Sequence, residues 1–161
     1  MTEADITGLL GKAVEDFADG KTAIVYFSLT GNTEKLAKLL QKILQADCYR
    51  ITSLNLPKFL WLIFSLLPIL WKIFNCPIRV EPALELNKYE NIALGFPKWG
   101  FGCPPLLSFL KKNELSGKRV IPFMSYGGWD YERFYSRVCE SIEKRGAAIA
   151  AKILIKRTRL S

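Results

Sequence analysis

Hydrophobic positions alternate between two patterns along the chain. Residues 22–27 form a nearly continuous apolar run, as in a central parallel strand covered on both faces. Leu36, Ala37, Leu40, Ile43 and Leu44 then recur at helical spacing, which predicts a helix ending near Gln45. The same alternation continues. Residues 47–52, 92–96, 118–124 and 147–155 read as strands. Residues 104–112, with prolines in the first turn, and 130–145, closed by Gly146, read as helices. Ahead of the first strand, Ile6, Leu9, Leu10, Val14 and Phe17 predict a further helix over 3–18 that ends at Asp19-Gly20.

Strands that alternate with helices imply a parallel sheet with right-handed crossovers. Five strands in this sequence predict a doubly wound α/β fold of order 2-1-3-4-5, with an extra N-terminal helix. Such sheets bind ligands beyond the strand C-termini, near strands one and three. The whole chain reads as one domain: a helical stretch over 1–20, an apolar helical insertion over 54–78 and a basic tail over 157–161.

The loops at that end carry the chemistry. Strand one runs into Ser28-Leu29-Thr30-Gly31-Asn32-Thr33 and directly into a helix. First-turn N–H groups lack intrahelical acceptors, and the helix dipole adds partial positive charge, so this turn is suited to an anion. Ser28, Thr30 and Thr33 offer hydroxyls, Gly31 permits close backbone approach, and the turn contains no Lys or Arg. Strand three ends in Pro97-Lys98-Trp99-Gly100-Phe101-Gly102, and strand four in Ser125-Tyr126-Gly127-Gly128-Trp129. Gly with aromatics suits flat-ring recognition by stacking and backbone contact.

Composition narrows the chemistry. The 161 residues include no histidine, and the four cysteines Cys48, Cys76, Cys103 and Cys139 are widely spaced. Histidine triads are therefore excluded and a Cys/His zinc site is not expected, so no metal is assigned. The turn lacks the Gly-Lys-Ser/Thr of a Walker loop. A net charge of +8 makes an acidic protein, an anionic membrane surface or nucleic acid candidate partners. Nucleic acid is disfavoured because the basic residues show no aromatic-interleaved patch. No cleavable signal pattern opens the chain, and a cytoplasmic location is expected, either free or peripheral to a membrane.

These residues resemble a known family. Ile24-Val25-Tyr26 with Ser28, Gly31, Thr33, Ala37 and Leu40 is similar to the flavodoxin phosphate-loop signature. Gly95-Phe96-Pro97, Trp99 and Pro104-Pro105 resemble the second flavin loop of short flavodoxin-like proteins, and Ser125-Tyr126-Gly127-Gly128 the third. The resemblance spans roughly residues 22–156. It implies non-covalent FMN, its phosphate held by residues 28–33 and its ring edge by 97–102 and 125–129, with Trp99 as the best stacking candidate. It further implies electron transfer to a redox partner protein, or, as the alternative, an FMN-dependent NAD(P)H/quinone-type oxidoreductase with a quinone-like acceptor.

Two features depart from an acidic soluble flavodoxin. The second loop has no acid and carries Lys98, whose ammonium should stabilise the negative charge of reduced flavin and make its potential less negative. Between strands two and three, residues 59–71 are uncharged and lie between Lys58 and Lys72. As a helix this run would reach about 20 Å against a hydrocarbon core of about 30 Å, and Pro68 interrupts it, so it is not expected to span a membrane. Residues 59–74 are instead expected to fold onto the body, to meet a second subunit in a homodimer, to lie at a membrane surface with Trp61 and Trp71, or to cover an apolar substrate.

Overall fold

The computed structural model describes Gly8, Phe17 and residues 20–53, 78–98 and 102–159. In chain order its strands are β1 (Thr22–Tyr26), β2 (Asp47–Ser53), β3 (Ile78–Glu81), β4 (Asn91–Pro97), β5 (Arg119–Tyr126), β6 (Ala148–Ile149) and β7 (Ile153–Lys156). Its helices are α1 (Asn32–Leu44), α2 (Pro104–Lys112) and α3 (Tyr131–Glu143). The expected helix over 3–18 falls mostly outside the described residues, although Gly8 and Phe17 are both helical. The insertion over 54–78 lies outside them up to Cys76 and Pro77.

The sheet runs β3-β2-β1-β4-β5-β6, with β7 also on β5. Its parallel part keeps the expected order: β1 lies between β2 and β4, and β5 lies beyond β4. Two features differ from the five-stranded parallel expectation. The first is β3, which pairs antiparallel with β2 from Arg50↔Glu81 to Ser53↔Ile78 and makes the sheet mixed. The pattern Ile78-Arg79-Val80-Glu81 alternates apolar and charged, as a half-covered edge strand should.

The second concerns the strand expected over 147–155, which divides into β6 and β7. Its cause lies in β5. Val120 accepts a hydrogen bond from the N–H of Ala150 at 2.9 Å, so Val120, and with it Pro122 two residues on, faces the last strand. Pro122 has no N–H to donate there. Tyr135 of α3 closes the gap: its buried hydroxyl donates to the Pro122 carbonyl at 2.6 Å and accepts from the backbone of Ile153. Burial, the main cause, pushes the Tyr135 hydroxyl pKa well up and keeps it protonated as a donor. Tyr135→Phe should therefore destabilise the fold by about 1–3 kcal/mol through the orphaned carbonyl. Urea unfolding at neutral pH measures this, and an unchanged midpoint would show that the hydroxyl is dispensable.

Helices cover both faces. Leu36, Ala37 and Leu40 of α1 pack with Phe17, Ile24, Tyr26, Ala93, Ile121 and Phe123. On the other face, Leu106 and Phe109 of α2 and Phe134 and Val138 of α3 pack on Val25, Ile92, Leu94 and Phe96. A side chain at Gly95 would overlap the Phe123 ring and stand 2.8 Å from Tyr26 Cβ. Glycine there leaves room for the Phe123 ring of the neighbouring strand just below the loops. Among the described residues, no helix is long and apolar enough to cross a membrane.

Candidate functional site

The ends of β1, β4, β5 and β7 lie side by side. Register places Tyr26 beside Gly95, Pro97 beside Ser125, and Tyr126 beside Lys156. The loops that follow therefore share one edge of the sheet.

The first loop is a turn whose hydroxyls do not cap the helix it feeds. Gly31 occupies the N-cap of α1 with φ 86°, a left-handed conformation that glycine adopts readily, and no side chain caps the helix. The first-turn N–H groups thus remain available to a ligand oxygen. Thr33 is buried and shares a 2.8 Å hydrogen bond with Ser125 Oγ, which ties the first loop to the third. Asn32 donates to Thr30 at 3.4 Å at the exposed lip. Leu29 packs against the core. Ser28 Oγ is different: it is buried, and it has no hydrogen-bond partner. An unsatisfied buried hydroxyl costs about 1–3 kcal/mol, a cost that a ligand oxygen would remove.

A phosphate ester fits this turn. It would accept from the Ser28 hydroxyl and the uncapped N–H groups, while a Cβ built at Gly31 meets nothing within 4 Å, so the approach is open. The acid nearest the turn is already engaged. Glu34, in the first turn of α1, accepts from Lys38 at 2.9 Å and meets Arg50 at 3.4 Å. The hydrogen bond from Lys38 is the main reason its carboxyl pKa lies below the usual glutamate value.

The second and third loops are joined by Lys98. Its N–H donates to the Ser125 carbonyl at 2.9 Å, which extends the β4–β5 ladder by one bond. Its ammonium donates to the Trp129 carbonyl at 2.7 Å and stands 5.3 Å from the centre of the Trp129 ring. Trp129 is 74% exposed. At the base of the loop the Tyr126 and Tyr131 rings stack with centroids 3.8 Å apart. The hydroxyl contact with Tyr126, followed by the charge of Glu132, pushes the Tyr131 pKa up to about 12.

Of the residues expected at the site, 28–33, Pro97, Lys98 and 125–129 come together. Gly102 is buried beside Cys103, which packs in the core instead of lining a reactive site. Trp99, Gly100 and Phe101 lie outside the described residues. Burial pushes the thiols of Cys48 and Cys139 up, away from reactive thiolate. Arg157, at the start of the basic tail over 157–161, is exposed and lies beside the third loop. Arg157–Arg159 forms a 3-10 turn, and a Cβ at Gly127 would overlap Arg157 Nε and stand 2.6 Å from its Cδ. The signal was topological, since the end of the last strand had to fall beside the end of strand four. A cavity of about 470 Å³ bounded by Lys21, Thr22, Gln45 and Asp47 lies at the opposite end of β1, away from these loops.

An open α/β sheet with an uncapped helix terminus at its switch point, flanked by two Gly- and aromatic-bearing loops, defines a doubly wound phosphate-ester-binding domain. Comparison with known proteins narrows the class. The flavodoxin family profile matches residues 72–155. An uncharacterized protein of Archaeoglobus fulgidus is 36% identical over 138 residues, covering 85% of this chain and 86% of its own. Among solved structures, a Lactobacillus acidophilus flavoprotein in complex with FMN superposes with a TM-score of 0.68 at 18% identity, covering 87% of this chain and 95% of that one. Oxidised flavodoxin 1 of Bacillus cereus does so with a TM-score of 0.50 at 21% identity, covering 84% of each chain. The two structural likenesses speak to the fold. This chain belongs to the flavodoxin family.

Proposed function

We propose that this protein binds FMN and serves as an electron-transfer flavoprotein. The observation that carries the reading is the buried, unpartnered Ser28 hydroxyl beside an uncapped helix terminus. Family membership and the FMN held by the Lactobacillus acidophilus flavoprotein support the choice of ligand. Bound FMN supplies reversible one- and two-electron chemistry. Residues 28–33 hold its phosphate through neutral dipoles. Pro97, Lys98 and residues 125–129 form the wall for its ring, with Trp99, Gly100, Phe101 and Gly102 as the expected continuation of the second loop. Lys98 adds a fixed positive charge to that wall.

Uptake of FMN is the first test. The purified protein should show a flavin spectrum, or its apoprotein should quench added FMN at one equivalent. At one hundred times its Kd the ligand should stabilise the fold by about 2.7 kcal/mol, read as a higher Tm. Riboflavin, which lacks the phosphate, should bind far more weakly. A colourless protein that takes up no FMN would overturn the proposal.

The partner is a protein carrier in this reading, and a quinone-like acceptor in the enzymatic alternative. Steady-state turnover with NADH, NADPH and a quinone separates the two. Residues 59–74 would supply a membrane surface contact or a homodimer contact, which liposome co-sedimentation and sedimentation velocity tell apart.

A further inference from the structure

We infer that the end of the sheet around Trp129, Lys156 and Arg157 is the docking surface for an acidic redox-partner protein. The inference rests on the electron-carrier reading above and names the chemistry of the partner. Three observations meet there. Trp129 is the exposed large hydrophobic residue among those described, with 74% of its surface in solvent. Its backbone is held by the Lys98 ammonium at 2.7 Å, so the indole stands on a fixed base. Beside it, Arg157 lies flat against Gly127 of the same loop, and Lys156 precedes it at the exposed end of β7, opposite Tyr126.

Charge identifies the occupant. The chain carries 23 Lys and Arg against 15 Asp and Glu. The described residues of the third loop, the start of α3 and the end of β7 carry Arg133, Lys156 and Arg157 against Asp130 and Glu132, with the Lys98 ammonium bonded to the same loop. Glu34, across the phosphate turn, is already matched by Lys38 and Arg50. A lysine on an outer strand also discourages edge-to-edge pairing, which accounts for Lys156 alone. Arg157 lies past the strand, where that explanation does not reach. An aromatic anchor ringed by cations fits a partner with a carboxylate cluster around an apolar centre. Electrons must cross near the loops that hold the cofactor, so this rim is also where such a partner has to land.

The test uses the FMN-loaded protein and two carriers of opposite charge, an acidic two-iron ferredoxin and a basic cytochrome c. Affinity is measured by calorimetry at low and at physiological ionic strength, where the Debye length is about 8 Å. The ferredoxin should bind at low salt and weaken as salt rises, while the cytochrome should not bind. Reversing Lys156→Glu with Arg157→Glu should weaken ferredoxin binding by about tenfold and flatten its salt dependence. Lys111→Glu with Lys112→Glu makes the same change in net charge at the C-terminal end of α2, away from the rim, and should have a much smaller effect. Trp129→Ala, compared at the same FMN occupancy as the parent protein, should weaken binding at every salt concentration. Equal losses from the two double variants, or tighter binding to the cytochrome, would overturn the surface. A protein that never loads FMN defeats the electron-carrier reading at the first step. One that loads FMN but gives equal losses defeats the docking surface alone.

Discussion

Ser28→Ala should make the FMN-free protein more stable and its FMN complex weaker. In the free protein the Ser28 hydroxyl is buried with no partner, so the methyl group of alanine removes a polar atom that gains nothing from the fold. The benefit is on the order of 1 kcal/mol and reads as a higher Tm of the apoprotein. With FMN bound as proposed, the same hydroxyl would donate to a charged phosphate. A hydrogen bond to a charged group contributes about 1.5–3 kcal/mol, which is about 10- to 150-fold in Kd. Fluorescence titration measures that loss. Thr33→Val provides the contrast, because Thr33 already bonds Ser125 at 2.8 Å and its removal leaves Ser125 Oγ without that partner. That variant should lose stability and affinity together. If Ser28→Ala also lowers the Tm, or leaves the Kd unchanged, the hydroxyl is structural and no phosphate sits on it.

The opposite signs follow from what was legible in the sequence and what was not. The turn 28–33 could be read as an anion site from hydroxyls, one glycine and a helix start, because those properties belong to the local chain. Which hydroxyl is spare could not be read, since Thr33 is satisfied by a residue 92 positions away. The central parallel strands β1, β4 and β5 were equally legible, each being a largely buried apolar run. The break in the last strand was not, although Pro122 is plain in the sequence. Its effect depends on which edge of β5 it faces and on Tyr135 being within reach of its carbonyl. The strand β3 escaped because four residues of alternation beside a long apolar segment carry too little signal. In sequence Arg157 is only the start of a basic tail. Only the register of β7 on β5 brings it against Gly127.

Lys98→Ala should lower the potential of the final reduction step of bound FMN. Two-electron-reduced flavin is anionic at neutral pH, and a fixed ammonium near it would stabilise that state over the uncharged ring one electron short of it. A surface lysine usually samples many positions and is screened by solvent. This one is restrained, because its ammonium is bonded to the Trp129 carbonyl at 2.7 Å and faces the indole at 5.3 Å. The charge is therefore held between the second and third loops, where it would need little reorganisation to meet negative charge on a bound flavin. A tenfold loss of preference for the reduced state corresponds to about 59 mV for one electron, and the expected shift is of that order. Lys98→Arg should keep most of the potential, since it keeps the charge. Lys98→Ala also releases Trp129, so packing and charge must be separated. Lys98→Met does so: it preserves most of the apolar stem and should match alanine in potential if charge is the cause. Spectroelectrochemical titration of the three variants decides the matter. Potentials in all three equal to that of the parent protein would mean that the ammonium serves only to hold the loop and does not set the potential.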